Sequence, residues 1–241
     1  MNTLSNNYTK IFISLIISLL LFILVFKFQT QYNQQLNQKI KISAETLYTD
    51  QNKILDDVKQ VVLSGNHHEI SSLENELEKM SHIESAEIYF SVNGEVSLSY
   101  YEFKPVVRVF NSENQSYYLD HNCKRIPLSE KYTADLILFT GFTENIQDHL
   151  IFNLAKKIIS NKFLSNQVSE VFINELSEAF FIPVIGNHKI KLGSFNSLES
   201  LEVKIKKIMT FYDKIIPKHG WEKYSEINLE YQNQIICLKN D

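Results

Sequence analysis

From Ile11 to Phe26 the chain reads IFISLIISLLLFILVF, uncharged on every helical face and bracketed by Lys10 and Lys27. A helix apolar all round belongs in a membrane or deep inside a large core. The run is a little short of the roughly 20 residues that a spanning helix prefers, but flanking lysines can snorkel and Phe28 extends it. The reading is one membrane anchor over residues 11–28, preceded by a short tail, 1–10. A cleavable leader needs small residues just beyond the apolar run; VFKFQTQYNQ supplies bulky and amide side chains instead, so the anchor is expected to stay uncleaved. Residues 29–38 are rich in amides and free of Gly and Pro, able either to continue the helix or to act as a spacer.

Beyond the spacer the pattern becomes that of a small α/β module. KIKIS (Lys39 to Ser43) alternates like a strand. Ile54, Leu55, Val58, Val61 and Val62 make one side of a helix that stops at Ser64-Gly65. Ser71-Ser72-Leu73-Glu74 reads as a capping box, followed by the stripe Leu73, Leu77, Met80. Ala86 to Glu102 alternates on either side of Asn93-Gly94, whose residues take up the positive φ angles of a tight hairpin. Strand, helix, helix, strand, strand predicts a three-stranded sheet covered by two helices.

After Pro105 the texture turns mostly β. SYYLD and KRIPLS flank a turn at His121-Asn122, and TADLILFTGF (Thr133 to Phe142) reads as a buried strand. Glu144 to Ser160 is helical, with Ile146, Leu150, Leu154 and Ile158 at steps of four. Ala179 to Phe195 is a second hairpin turning at Gly186-Asn187. Asn196 with Glu199 can cap a last helix, whose stripe Leu198, Leu201, Ile205, Ile208, Tyr212, Ile215 ends at Pro217. The fold class is therefore α+β.

Composition removes several functions. The net charge of −4 argues against nucleic acid, and Cys123 and Cys237 make neither a framework nor a CxxC pair, so free thiols are expected. Six scattered glycines give no phosphate loop. His67-His68-Glu69 lacks further ligands at helical spacing, which makes it a loop rather than a metal site. Asp120, His121 and Cys123 fall in a turn, where Asp and Asn serve backbone geometry. Catalysis, cofactor and metal are all expected to be absent. Trp221 and Tyr224 read as supporting core.

The C-terminal stretch EINLEYQNQIICLKND (Glu226 to Asp241) resists that bland account. Ile227, Leu229 and Tyr231 alternate with polar residues as in a half-buried strand; after Asn233 both parities are apolar, Ile235 and Cys237 on one, Ile236 and Leu238 on the other. A terminal strand of this kind is an edge hazard unless covered. Either a helix of the same domain covers it, or a partner adds a strand there.

Leu77 to Phe110, LEKMSHIESAEIYFSVNGEVSLSYYEFKPVVRVF, with its motif Pro105-Val106-Val107-Arg108-Val109, resembles the POTRA-like module and following strand of the bacterial cell-division family FtsQ/DivIB. SYYLD, PLS, IPVIGNHKIKLG, FYDKIIPKHGW and INLEYQNQIIC are similar to the rest of that family's β domain, so the likeness runs over nearly the whole chain. It departs at Cys123, where the family's turn usually has Gly, and at Glu102, in a run often more basic. The resemblance implies a POTRA-like module over 39–104, a β domain over 105–241, and a scaffold rather than an enzyme. It also implies a cytoplasmic N-terminus and a periplasmic domain at the inner membrane of the division septum, an orientation that charge alone leaves open. There the family binds FtsB and FtsL and helps control septal peptidoglycan synthesis. FtsB is received by strand addition, which maps here to Leu229, Glu230, Tyr231, Asn233, Ile235 and Ile236; Pro105 and Arg108 would shape the junction between modules. The rival reading is a membrane-anchored extracytoplasmic ligand-sensing or peptidoglycan-binding domain, which predicts an enclosed pocket with convergent polar groups.

Overall fold

The computed structural model describes residues 2–64, 70–92, 95–195, 197 and 199–240, without the side chains of 2–12, 32–39 and 63–64. His67-His68-Glu69, the Gly65 stop, the Asn93-Gly94 turn, Asn196 and Leu198 lie outside the described residues. The chain divides into two compact units, Met1–Glu102 and Phe103–Asp241.

Unit 1 begins with α1 (Asn2–Lys39), which carries the apolar run and continues without interruption through the amide-rich spacer. Within it Ile13–Gln31 is long and apolar enough to cross a membrane and none of it is covered by the rest of the chain. At 1.5 Å per residue that segment spans about 28 Å, close to the hydrocarbon thickness of a bilayer.

Then follow β1 (Ile40–Ser43), α2 (Gln51–Ser64), α3 (Ile70–Glu78), β2 (Ile83–Phe90) and β3 (Val96–Glu102). The sheet order is β1-β3-β2, with β1 parallel and β2 antiparallel to the central β3. Ile54 and Val58 of α2 and Leu73 and Leu77 of α3 bury their apolar stripes against Ile83, Ala86, Ile88, Leu98 and Tyr100.

Two carboxylate devices complete this unit. The expected capping box is not formed: α3 already starts at Ile70, and Glu74 reaches across to accept the Ile88 N–H at 2.7 Å while Glu78 accepts the Ala86 N–H at 3.2 Å. Edge donors of β2 are thereby satisfied by a helix that the sequence pattern had placed only through its apolar side. Glu102, at the end of β3, is nearly buried and accepts the N–H groups of Leu47 (2.8 Å), Tyr48 (3.0 Å) and Thr49 (2.7 Å) and the Thr49 hydroxyl (2.5 Å). Burial alone would raise its pKa, but these donors outweigh it and hold the carboxyl below its usual range. The acidic departure from the basic family run is thus a staple for the β1–α2 loop.

Unit 2 is a nine-stranded mixed sheet in the order β12-β11-β10-β9-β8-β7-β4-β5-β6. Its strands are β4 (Pro105–Asn111), β5 (Ser116–Asp120), β6 (Arg125–Pro127), β7 (Leu138–Gly141), β8 (Val168–Ile173), β9 (Glu178–Pro183), β10 (Lys189–Ser194), β11 (Tyr224–Asn228) and β12 (Ile236–Lys239). The helices are α4 (Asp148–Ser160), α5 (Lys162–Gln167), α6 (Leu201–Lys214) and α7 (Ile216–His219). Alternation sorts each strand: Val107, Val109, Phe139, Val171, Phe181, Ile190 and Ile227 join Ile151, Leu154 and Ile158 of α4 and Ile205, Ile208 and Phe211 of α6 in one core. The other parity carries Phe110, Phe172, Phe180 and Lys191 on the opposite face. The architecture is the α+β arrangement expected, with a mostly β second unit.

Several expectations need correcting. Of Thr133 to Phe142 only Leu138–Gly141 is strand. The helix expected from Glu144 starts at Asp148, because Thr143–Asn145 makes a single 3-10 turn and Ile146 is extended. Pro217 opens α7 rather than simply ending α6, its missing N–H falling in a first turn where none is needed. The sequence pattern assigns no element to residues 161–178, yet Asn161 caps α5 by accepting from the Phe163 and Leu164 N–H groups, and VSEVFI forms β8.

Glu102→Ala should cost unit 1 about 2–3 kcal/mol, since the loop donors lose their acceptor at a partly buried site. Hydrogen exchange should speed up at Leu47, Tyr48 and Thr49 while unit 2 amides keep their protection. Because its folded pKa lies below the unfolded value, the Glu102 contribution is present above about pH 4.5 and fades as pH falls through the folded value; the variant should lose that acid dependence.

Candidate partner-binding edge

The terminal hairpin is shorter and more sharply folded than a strand from Leu229 to Leu238 would be. β11 ends at Asn228, residues 229–235 turn, and β12 returns antiparallel with Asn228 opposite Ile236, Ile227 opposite Cys237 and Glu226 opposite Leu238. Asn240 N–H donates to Lys223 O at 3.1 Å. By alternation Ile236 and Leu238 direct their backbone groups to β11, and Cys237 and Lys239 direct theirs to the open side.

Side chains alternate in the same register. Cys237 and Ile235 pack against the core. Ile236 and Leu238 lie on the opposite face and are 38% and 54% exposed, the two apolar side chains of an edge strand left in solvent. The far edge of the sheet differs: β6 has three residues and ends in Pro127, which has no N–H to offer an incoming strand.

The proposed site residues therefore separate into groups. Leu229 is a core residue with no exposed surface, its N–H donating to Lys191 O at 2.9 Å, so its side chain is unavailable to a partner. Ile235 is half-buried. Glu230, Tyr231 and Asn233 occupy the turn, and only Ile236 belongs to the edge strand itself. Pro105 and Arg108 both lie in β4 inside the sheet of unit 2, Pro105 opposite Asp120 and Arg108 donating through Nε to Ser116 Oγ at 3.3 Å.

Lysines fix the turn. Lys207 of α6 donates through Nζ to the carbonyls of Leu229 and Tyr231. Lys191 of β10 bridges Glu178 (2.9 Å) and Glu230 (3.1 Å). The hydrogen bond to Glu178 is the main cause that raises the ammonium's pKa, with Glu230 adding to it. Gly193 makes room for this arrangement: it sits at φ +81°, and a Cβ there would stand 2.4 Å from Glu230 Cγ. None of these supports was legible in the sequence, because each joins residues far apart in the chain. Leu238 was legible as apolar, but its exposure depends on the turn at 229–235.

Two clefts of unit 2 are open. One of about 460 Å³ is lined largely by apolar side chains, among them Val106, Ile137, Ile159 and Val184, and one of about 540 Å³ lies beside Lys156, Lys157 and Glu202. Neither gathers convergent polar groups in an enclosed space. Among the described residues no three His, Cys, Asp or Glu side chains are placed to hold a metal. Cys123 and Cys237 are free thiols, each with its pKa raised by burial. Cys123 occupies a left-handed position at φ +62°, which is why glycine suits that turn.

A family model described as FtsQ/DivIB, C-terminal related, matches residues 104–238, more than half of the chain. No curated protein matches it significantly.

Gly193→Ala should destabilise unit 2 by about 1–3 kcal/mol through its positive φ. It should also push Glu230 away from Lys191. Urea unfolding followed by Trp221 fluorescence measures the first, and faster exchange of the Leu229 amide reports the second.

Proposed function

The chain belongs to the FtsQ/DivIB C-terminal-related family, and on that premise we propose that it is a non-enzymatic scaffold of the division machinery whose β12 edge receives a strand from a partner. Family and apolar helix together make it a cell-division protein of the single-pass inner-membrane kind. In the proposed arrangement the N-terminus is cytoplasmic and unit 2 is periplasmic at the septum. The partner is an FtsB-like single-span protein, itself joined to an FtsL-like one, and the complex helps control septal peptidoglycan synthesis.

The observation that carries this reading is the asymmetry of the sheet's two ends. β12 offers outward backbone groups at Cys237 and Lys239 beside exposed Ile236 and Leu238, whereas β6 is short and ends in proline. An added strand would gain main-chain hydrogen bonds from the first pair and apolar contact from the second. Glu230, Tyr231 and Asn233 would then flank the added strand, with the ring of Tyr231, about half exposed, giving rigid contact area. Ile236 rather than Leu229 is the aliphatic anchor. Pro105 and Arg108 are proposed to fix the path of the chain as it enters unit 2.

Lys239→Pro removes one outward N–H and leaves the β11–β12 pairing groups in place. Binding of the partner's extracytoplasmic segment should weaken at least tenfold while the melting temperature of unit 2 stays within a few degrees. A photo-crosslinker at Leu238 in living cells should capture a small, single-span coiled-coil protein. Undiminished binding by Lys239→Pro would rule out strand addition at this edge.

A further inference from the structure

Behind the terminal hairpin lies a buried polar cluster that strand addition does not use. His188, in the turn leading into β10, is 1% exposed. Its Nε2 lies 2.8 Å from the hydroxyl of Tyr212 on α6, and Gln167 at the end of α5 reaches the same hydroxyl at 3.5 Å while donating to Ile185 O at 2.8 Å. The imidazole packs against Trp221 at 6.4 Å, with 24° between the planes, and against Phe211 at 5.7 Å and Tyr212 at 5.6 Å. Its Nδ1 makes no hydrogen bond of good geometry.

The hydrogen-bond arithmetic favours a neutral ring. Gln167 Nε2 is a donor only, so Tyr212 accepts from it and donates its own O–H in a hydrogen bond to His188 Nε2. Protonating His188 makes both ring nitrogens donors. The Nε2–H then points at the Tyr212 oxygen, and the hydroxyl proton loses its acceptor in a site closed to water. The groups packed round the ring offer little relief. Tyr212 is neutral, its pKa pushed up to about 12 by burial; Phe211, Trp221 and Gln167 carry no charge. Among the described residues, Glu222 is the charge that acts on the ring. Burial lowers the imidazole pKa, and the Trp221 backbone and Glu222 offset it only in part.

This cluster is fastened to the edge. The segment that carries Trp221 continues into Glu222 and Lys223, whose carbonyls accept the Asn240 side-chain amide at 2.7 Å and the Asn240 N–H at 3.1 Å. The Glu222 carboxylate also accepts from Asn187, next to His188, at 2.9 Å. Displacing the imidazole therefore loosens the point at which β12 closes on β11.

We propose that His188 is an acid-sensitive latch behind the β12 edge, holding the terminal hairpin closed while neutral and releasing it when protonated. As a control over partner docking this rests on the strand-addition reading; as a property of the hairpin it does not. The sign is fixed by linkage: a histidine that is harder to protonate folded than unfolded gives stability that is complete above about pH 6.5 and declines as pH falls below it.

The test uses the full chain in lipid nanodiscs, without partner. Hydrogen exchange at Tyr224 to Lys239, corrected for intrinsic rate, is compared at pH 7.5 and 5.0 for wild type and His188→Gln, whose amide can still meet Tyr212 but cannot take up a proton. Protection in wild type should fall at least tenfold at the lower pH, with β4 and β7 unchanged, and the variant should lose less than threefold. Equal loss in both proteins, or none in wild type, overturns the latch. Should the variant fail to fold, the imidazole is followed by NMR in wild type: it should remain neutral at pH 6.0, and a ring already half protonated there overturns the proposal equally. Partner capture at Leu238, measured at pH 7.5, stands or falls separately, so the failure of docking and the failure of the latch are told apart.

Discussion

An open β-sheet must end, and its last strand turns half of its backbone donors and acceptors outward, where each needs water, a side chain or another strand. The handling of those groups organises this molecule. Along β2 the need is met from within, by two glutamates one helical turn apart on α3. At β6 it is reduced by brevity and by a proline. At β12 it is left open beside exposed aliphatic side chains, and the turn before it is clamped by lysines from α6 and β10. One edge is thus closed with carboxylates, and another is left apolar beside a clamped turn.

The elements legible from the chain were those whose signal is local. The apolar run, the alternation in β2 and β3 and the stripe of α6 all follow from period and residue type, and the helix-helix-strand-strand order was enough to give the three-stranded sheet. What failed depended on distant partners. Glu74 reads as a capping residue because its sequence neighbours are right, yet its carboxylate is claimed by a β2 amide fourteen residues away. Thr133 to Phe142 is apolar enough for a long strand, but only four of its residues find partners on both sides, in β4 and β8.

The candidate site shows the same limit at smaller scale. Alternation from Ile227 to Tyr231 suggested one strand, and it held as far as Leu229. Beyond that the chain turns, so Leu229 enters the core while Ile236 and Leu238 face solvent. The turn is set by Lys207, Lys191 and the space at Gly193, none of which lies within the stretch it shapes. Patterning could mark the stretch as unusual, but only the fold could say which residues face outward. The same applies to His188, which in sequence is one more polar residue beside a glycine turn.

Helix α1 runs unbroken to Lys39, and β1 begins at the next residue. Past the apolar segment the helix continues for roughly 12 Å at 1.5 Å per residue, with no glycine or proline to act as a swivel. Height and azimuth are then the same variable: each residue added to or taken from this stalk raises or lowers β1 by about 1.5 Å and turns it by about 100°. The direction in which the three-stranded sheet faces about the axis of α1 is thereby written into the length of its stem.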